Sequence, residues 1–130
     1  MERSKIILVD DHPIVREGLA QFINSEPDLI VCGMATDAGE AMSVIAAQSP
    51  DLVVADLTMP IVTGLELARQ LLVVDPELPM VLMTGYSAAA MGQTESNIRA
   101  TLQKPFRAEA LGRAVAAALG RPTDPGQLSE

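Results

Sequence analysis

The 130-residue chain carries 17 acidic and 9 basic side chains, a formal charge of −8, and 48% apolar residues. That length fits one domain with a sizeable core, and the apolar share excludes disorder for the chain as a whole. A uniformly acidic domain is repelled by phosphate backbones and anionic lipid, so direct nucleic-acid or membrane binding is not expected. The few aromatics, Phe22, Tyr86 and Phe106, supply no stacking platform.

The first apolar run, Ile6-Ile7-Leu8-Val9, is bounded by Asp10-Asp11 and reads as a buried parallel strand. It is too short for a signal-peptide core or a membrane span, which points to a cytoplasmic protein. Pro13 fits the first position of a helix on which Ile14, Val15, Leu19, Phe22 and Ile23 recur at helical spacing. Pro27-Asp28 breaks the chain before a second strand near Leu29–Met34. Cys32, the single cysteine, lies in that run and reads as a buried, inert thiol with no disulfide partner. Thr36 or Asp37 can cap a helix presenting Ala41, Met42, Ile45 and Ala46. Ser49-Pro50-Asp51 then introduces a third strand, Leu52–Ala55, which ends at Asp56.

Gly64 opens a further helix with Leu65, Ala68, Leu71 and Leu72 on one face. Pro76 and Pro79 bracket the turn into strand four, Met80–Met83, ahead of Thr84. From Ser87 to Arg99 the pattern is mixed: Ala88-Ala89-Ala90-Met91 favours helix, whereas Gly92 and the polar run after it do not. A short helix is expected there, followed by strand five, Ala100–Gln103, and Lys104-Pro105. Leu111, Val115, Ala118 and Leu119 form the inner face of a last helix, with Gly120 fitting its C-terminal cap. Residues 1–120 are expected to form the domain, and 121–130, rich in Pro and Gly, a flexible tail or linker.

Alternating strands and helices with right-handed crossovers give an α/β fold, a doubly wound parallel sheet with helices on both faces. Five units suit the flavodoxin-like (βα)5 order 2-1-3-4-5 in a single domain. Asp10, Asp11 and Asp56 would then meet where strands one and three lie side by side, with Thr84 and Lys104 at neighbouring strand ends. Three carboxylates this close stay ionised together only beside a cation. Oxygen ligands with room for water suit Mg2+, with Mn2+ as the alternative, better than zinc or copper. A carboxylate can also attack phosphorus to form an aspartyl phosphate, a reaction that needs positioning and charge neutralisation more than acid–base help. His12, between Asp11 and Pro13, reads as a loop residue at the rim of the site rather than as a ligand or base. Arg107, Glu109 and Arg113 read as a solvated face.

Taken in order, Ile6-Ile7-Leu8-Val9-Asp10-Asp11, Asp56-Leu57-Thr58-Met59-Pro60 with Gly64, Thr84-Gly85 and Lys104-Pro105-Phe106 resemble a response-regulator receiver domain of the CheY-like family, over roughly residues 4–119. The resemblance implies a two-component phosphorelay protein that is not a turnover enzyme. Asp56 would be the phospho-acceptor, taking its phosphoryl group from a sensor histidine kinase or a histidine phosphotransfer protein. Asp10 and Asp11 would hold Mg2+, with Asp56 and the main-chain carbonyl of Thr58. The Thr84 hydroxyl and Lys104 would bind the phosphoryl group. Met59, Gly85, Tyr86, Thr101 and Pro105 would form the rim and switch. The resemblance does not identify the output partner, and it allows a monomer or weak homodimer.

The chain departs from the family pattern at Thr101, where members often carry an aromatic residue that swings inward on activation. The stretch corresponding to the family's fourth helix is polar and irregular. These departures motivate a rival, a docking module that keeps the fold without phosphorylation. A phosphatase of the haloacid-dehalogenase type would need a second Asp where Thr58 stands. A flavin-binding protein would need a Ser/Thr-rich phosphate loop after strand one and more aromatics.

Overall fold

The computed structural model describes residues 3–56, 64–85, 95–104 and 106–120. Five strands form one parallel sheet: β1 (Ser4–Val9), β2 (Leu29–Ala35), β3 (Leu52–Asp56), β4 (Met80–Thr84) and β5 (Ile98–Gln103), in the order β2-β1-β3-β4-β5. The described helices are α1 (Pro13–Ser25), α2 (Ala38–Gln48), α3 (Gly64–Val74) and α4 (Ala108–Ala118). This is the expected doubly wound architecture. The expected helix between strands four and five falls largely on residues 86–94, outside the described residues, as do the expected tail and Pro105.

Alternation along the strands sorts the core into two layers. Ile6, Leu8, Leu52, Val54, Val81 and Met83 point to one face, where α1 and α4 bring Ala20, Ile23, Leu111 and Val115. Ile7, Val9, Val53, Ala55 and Met80 point to the other, where α2 and α3 bring Ala41, Ile45, Leu67 and Leu71. Both layers are aliphatic. Each fully buried Ile or Leu contributes about 1.5–3 kcal/mol of transfer free energy, which is how a chain almost without aromatics fills its interior.

Helix boundaries follow local chemistry. Pro13 sits at the start of α1, where its missing N–H costs nothing. Asp37 caps α2, its Oδ1 accepting the Glu40 N–H at 2.8 Å, and Glu40 reaches back to the Thr36 N–H at 2.7 Å. Gly120 takes φ +74 just after α4, as the C-terminal cap requires.

Three expectations need correction. Ile14 and Val15 recur at helical spacing with Leu19, Phe22 and Ile23, but both are exposed, Ile14 at 86%. At 100° per residue, Arg16 lies four and seven positions before Ala20 and Ile23 and takes the inward position of the first turn. Its Nη1 donates to the Asp10 main-chain oxygen at 2.7 Å. Secondly, β5 begins at Ile98, two residues before the expected start. The Met80 N–H bonds the Asn97 carbonyl at 2.8 Å, so the ladder between β4 and β5 begins before the polar run has ended. Thirdly, Cys32 is half-buried rather than buried. It occupies the irregularity where β1 pairs Ile6 with Val31 and Ile7 with Gly33.

Candidate functional site

In this strand order the chain leaves β1 toward β2 on one side and returns to β3 on the other, opening a crevice at the carboxyl ends of β1 and β3. The last pair in their register is Val9 with Ala55. Asp10 and Asp56 therefore follow at adjacent strand ends.

Asp10 has no exposed surface. Its main-chain N–H bonds the Ala35 carbonyl at 3.0 Å and its carbonyl receives Arg16, which fixes the backbone from both sides. Oδ1 accepts the His12 N–H at 2.9 Å, an Asx-type turn just ahead of the helix, and also faces His12 Nδ1 at 3.1 Å. Oδ2 has no hydrogen-bond partner among the described residues. Asp11 is half-buried. Its Oδ1 accepts no hydrogen bond from the described residues, although His12 Nδ1 lies 3.1 Å away.

Asp56 ends β3 at 2% exposure, and its Oδ2 accepts from Lys104 Nζ at 3.0 Å. Lys104 follows β5, two strands away, and its main-chain N–H bonds the Thr84 carbonyl at 2.7 Å. Thr84, the last residue of β4, is 1% exposed. One carboxylate oxygen from each of Asp10, Asp11 and Asp56, together with a His12 ring nitrogen, lie within 4.8 Å of one another. A desolvated carboxylate oxygen with no donor is costly unless a cation faces it. The orphaned Oδ2 of Asp10 and Oδ1 of Asp11 are hard oxygen donors of the kind a divalent cation takes.

The structure thus brings together Asp10, Asp11, Asp56 and Lys104, with Thr84 on the intervening strand. Gly85 is exposed at the rim, and Thr101 is half-buried within β5, paired with Leu82. Thr58, Met59, Tyr86 and Pro105 lie outside the described residues. Two residues play a larger part than the sequence reading gave them. His12, expected only at the rim, faces both acids of the first strand end, and Arg16 braces the Asp10 backbone. The signal for His12 was an acid two residues before it and a helix-starting Pro after it, the setting of an Asx turn.

Residues 6–116 match the family model described as the response regulator receiver domain. The chain belongs to that family. The receiver domain is 40% identical over 84 residues to the DNA-binding transcriptional activator DevR/DosR of Mycobacterium tuberculosis, 65% of this chain and 39% of that protein. It is 40% identical over 65 residues to the nitrate/nitrite response regulator protein NarL of Escherichia coli, 50% of this chain and 30% of that protein. Among solved structures, a two-component response regulator of the LuxR family from Aurantimonas sp. SI85-9A1 aligns at a TM-score of 0.83 and 33% identity, over 92% of this chain and 88% of that one. The receiver domain spans less than two thirds of these curated relatives, which are mostly regulators, with protein-glutamate methylesterases among them. It is a receiver of two-component signal transduction. Among its described residues, no helix is long and apolar enough to cross a membrane.

Proposed function

We propose that this receiver accepts a phosphoryl group on Asp56 from the phosphohistidine of a sensor histidine kinase or histidine phosphotransfer protein. A carboxylate oxygen of Asp56 forms the new bond to phosphorus as the bond from phosphorus to the imidazole nitrogen breaks, and the histidine leaves with the electron pair. The observation that carries the reading is the Asp56 carboxylate, almost wholly buried and accepting from Lys104 Nζ at 3.0 Å, beside an Asp10 oxygen that has no donor among the described residues. Lys104 would stay with the phosphoryl oxygens once they replace the carboxylate charge. The Thr84 hydroxyl, at the neighbouring strand end, would turn toward them and so couple the new charge to β4.

The donor set suits Mg2+: Asp10, Asp11 and Asp56 would hold it, with the Thr58 main-chain carbonyl. When bound, it supplies positive charge that neutralises the phosphoryl oxygens. The product is a changed surface for a partner, and the chain is not a turnover enzyme on a metabolite.

The test is incubation with acetyl phosphate and Mg2+, followed by intact-mass analysis and peptide mapping. One phosphoryl group on Asp56, lost in Asp56→Asn and on chelation, is expected. No adduct, or one elsewhere, overturns the proposal. Thr101 on β5, where relatives of this type often place an aromatic, favours a second reading as a docking module. Under that reading, Asp56→Asn leaves partner binding and regulation unchanged.

A further inference from the structure

We propose that His12 is a further ligand of the divalent cation, through Nδ1, and that it shifts the centre's preference from Mg2+ toward Mn2+. The inference rests on reading the acidic cluster as a cation site. Asp10 has no exposed surface, and its Oδ2 has no donor among the described residues, so the cluster contains a buried oxygen that calls for a positive charge. His12 Nδ1 stands 3.1 Å from Asp10 Oδ1 and 3.1 Å from Asp11 Oδ1. A ring nitrogen equidistant from two carboxylates faces the point that a cation shared by both would occupy.

The dimensions agree. Ligands on opposite sides of an ion bound at about 2.1–2.2 Å are about 4.3 Å apart, and the four donor atoms here span at most 4.8 Å. A shift of about half an ångström closes that gap, well within the reach of a side chain that is 62% exposed. The backbone is already set: His12 is the extended residue before α1, with Pro13 starting the helix and its N–H bound to Asp10 Oδ1. An all-oxygen shell suits Mg2+, and adding an imidazole nitrogen favours transition ions over it.

His12 is the only histidine in the chain, which makes the assignment direct. The Mn2+ complex of the whole chain is measured by pulsed electron paramagnetic resonance, with natural-abundance and 15N-labelled histidine, and its affinities for Mn2+ and Mg2+ by calorimetry. A nitrogen modulation that changes with the label is expected. It should disappear in His12→Ala, whose Mn2+ affinity falls roughly tenfold to a hundredfold while its Mg2+ affinity changes much less. Mn2+ bound without histidine coupling, and with the Mn2+ to Mg2+ ratio unchanged in His12→Ala, overturns the inference and leaves His12 only a hydrogen-bond partner of Asp10. Failure of the wild type to bind either ion, or binding that survives Asp10→Asn, overturns the cation-site reading itself and the inference with it. The labelled wild-type spectrum needs no variant to fold.

Discussion

Replacing Asp11 with Asn removes one of three crowded carboxylates and keeps its shape. At an effective dielectric near 20, two unit charges at the 4.8 Å limit of the cluster repel by about 3.5 kcal/mol. Asp11 faces two such neighbours. Its side chain is 29% exposed, and solvent and spread charge screen most of that repulsion, leaving a net relief of about 1–2 kcal/mol. Metal-free Asp11→Asn should therefore melt above the wild type, by about 3–5 °C per kcal/mol for a domain of this size. Added Mg2+ narrows the gap. At 100 times its dissociation constant the wild type gains about 2.7 kcal/mol, whereas a variant bound tenfold more weakly gains about 1.4 kcal/mol. The assay is thermal unfolding by circular dichroism, with chelator and across a Mg2+ series. The reasoning fails if the metal-free variant melts at or below the wild type, or if Mg2+ raises both melting points equally.

Two further outcomes follow from packing and burial. A Cβ on Gly33 would stand 2.6 Å from Val44 Cγ1 on α2, and a helical Val has one strongly preferred rotamer. Gly33→Ala should cost about 1–3 kcal/mol in urea unfolding, less the few tenths that Ala gains through the unfolded chain; equal or greater stability would show that α2 yields freely. Burial pushes the Cys32 thiol above its ordinary value of 9.0, Lys5 opposing the shift. The folded thiol holds its proton more tightly than the unfolded one. Its stabilising share is thus complete below the ordinary value and is lost as pH rises from there through the folded value. Alkylation at about pH 8 should run slower in the folded than in the urea-unfolded chain, and equal rates would contradict it.

Much of the fold was legible because parallel strands buried on both faces read as unbroken apolar runs. Ile6–Val9, Leu52–Ala55 and Met80–Met83 each became a strand, the first extended by Ser4 and Lys5 at its start, the others by Asp56 and Thr84 at their ends. The acids and Lys104 could be placed because each directly ends or follows such a run. Periodicity failed where an apolar residue has no core to meet. Ile14 and Val15 satisfy the helical spacing, but the inward position of that turn belongs to Arg16, whose work is a hydrogen bond to Asp10. It failed again at Ile98, because strand β5 is set by its pairing with β4, starting from a buried Asn97 whose Nδ2 donates to the Ala68 carbonyl at 2.9 Å. The part His12 plays was hidden for a related reason. Sequence shows a neighbour of two acids, and only the turn shows that its ring folds back over them.

Lys104 ties together parts of the sheet that the chain order keeps apart. Its main chain is fastened to the end of β4, while its ammonium reaches past that strand to Asp56 on β3. It also continues directly from β5, which forms one border of the sheet. A charge added on an inner strand therefore pulls on a residue rooted about 10 Å away, two strand spacings across, at the sheet's border. The same side chain that pairs with the buried Asp56 is in this sense a lever, with its fulcrum at Thr84 and its far arm on the border strand.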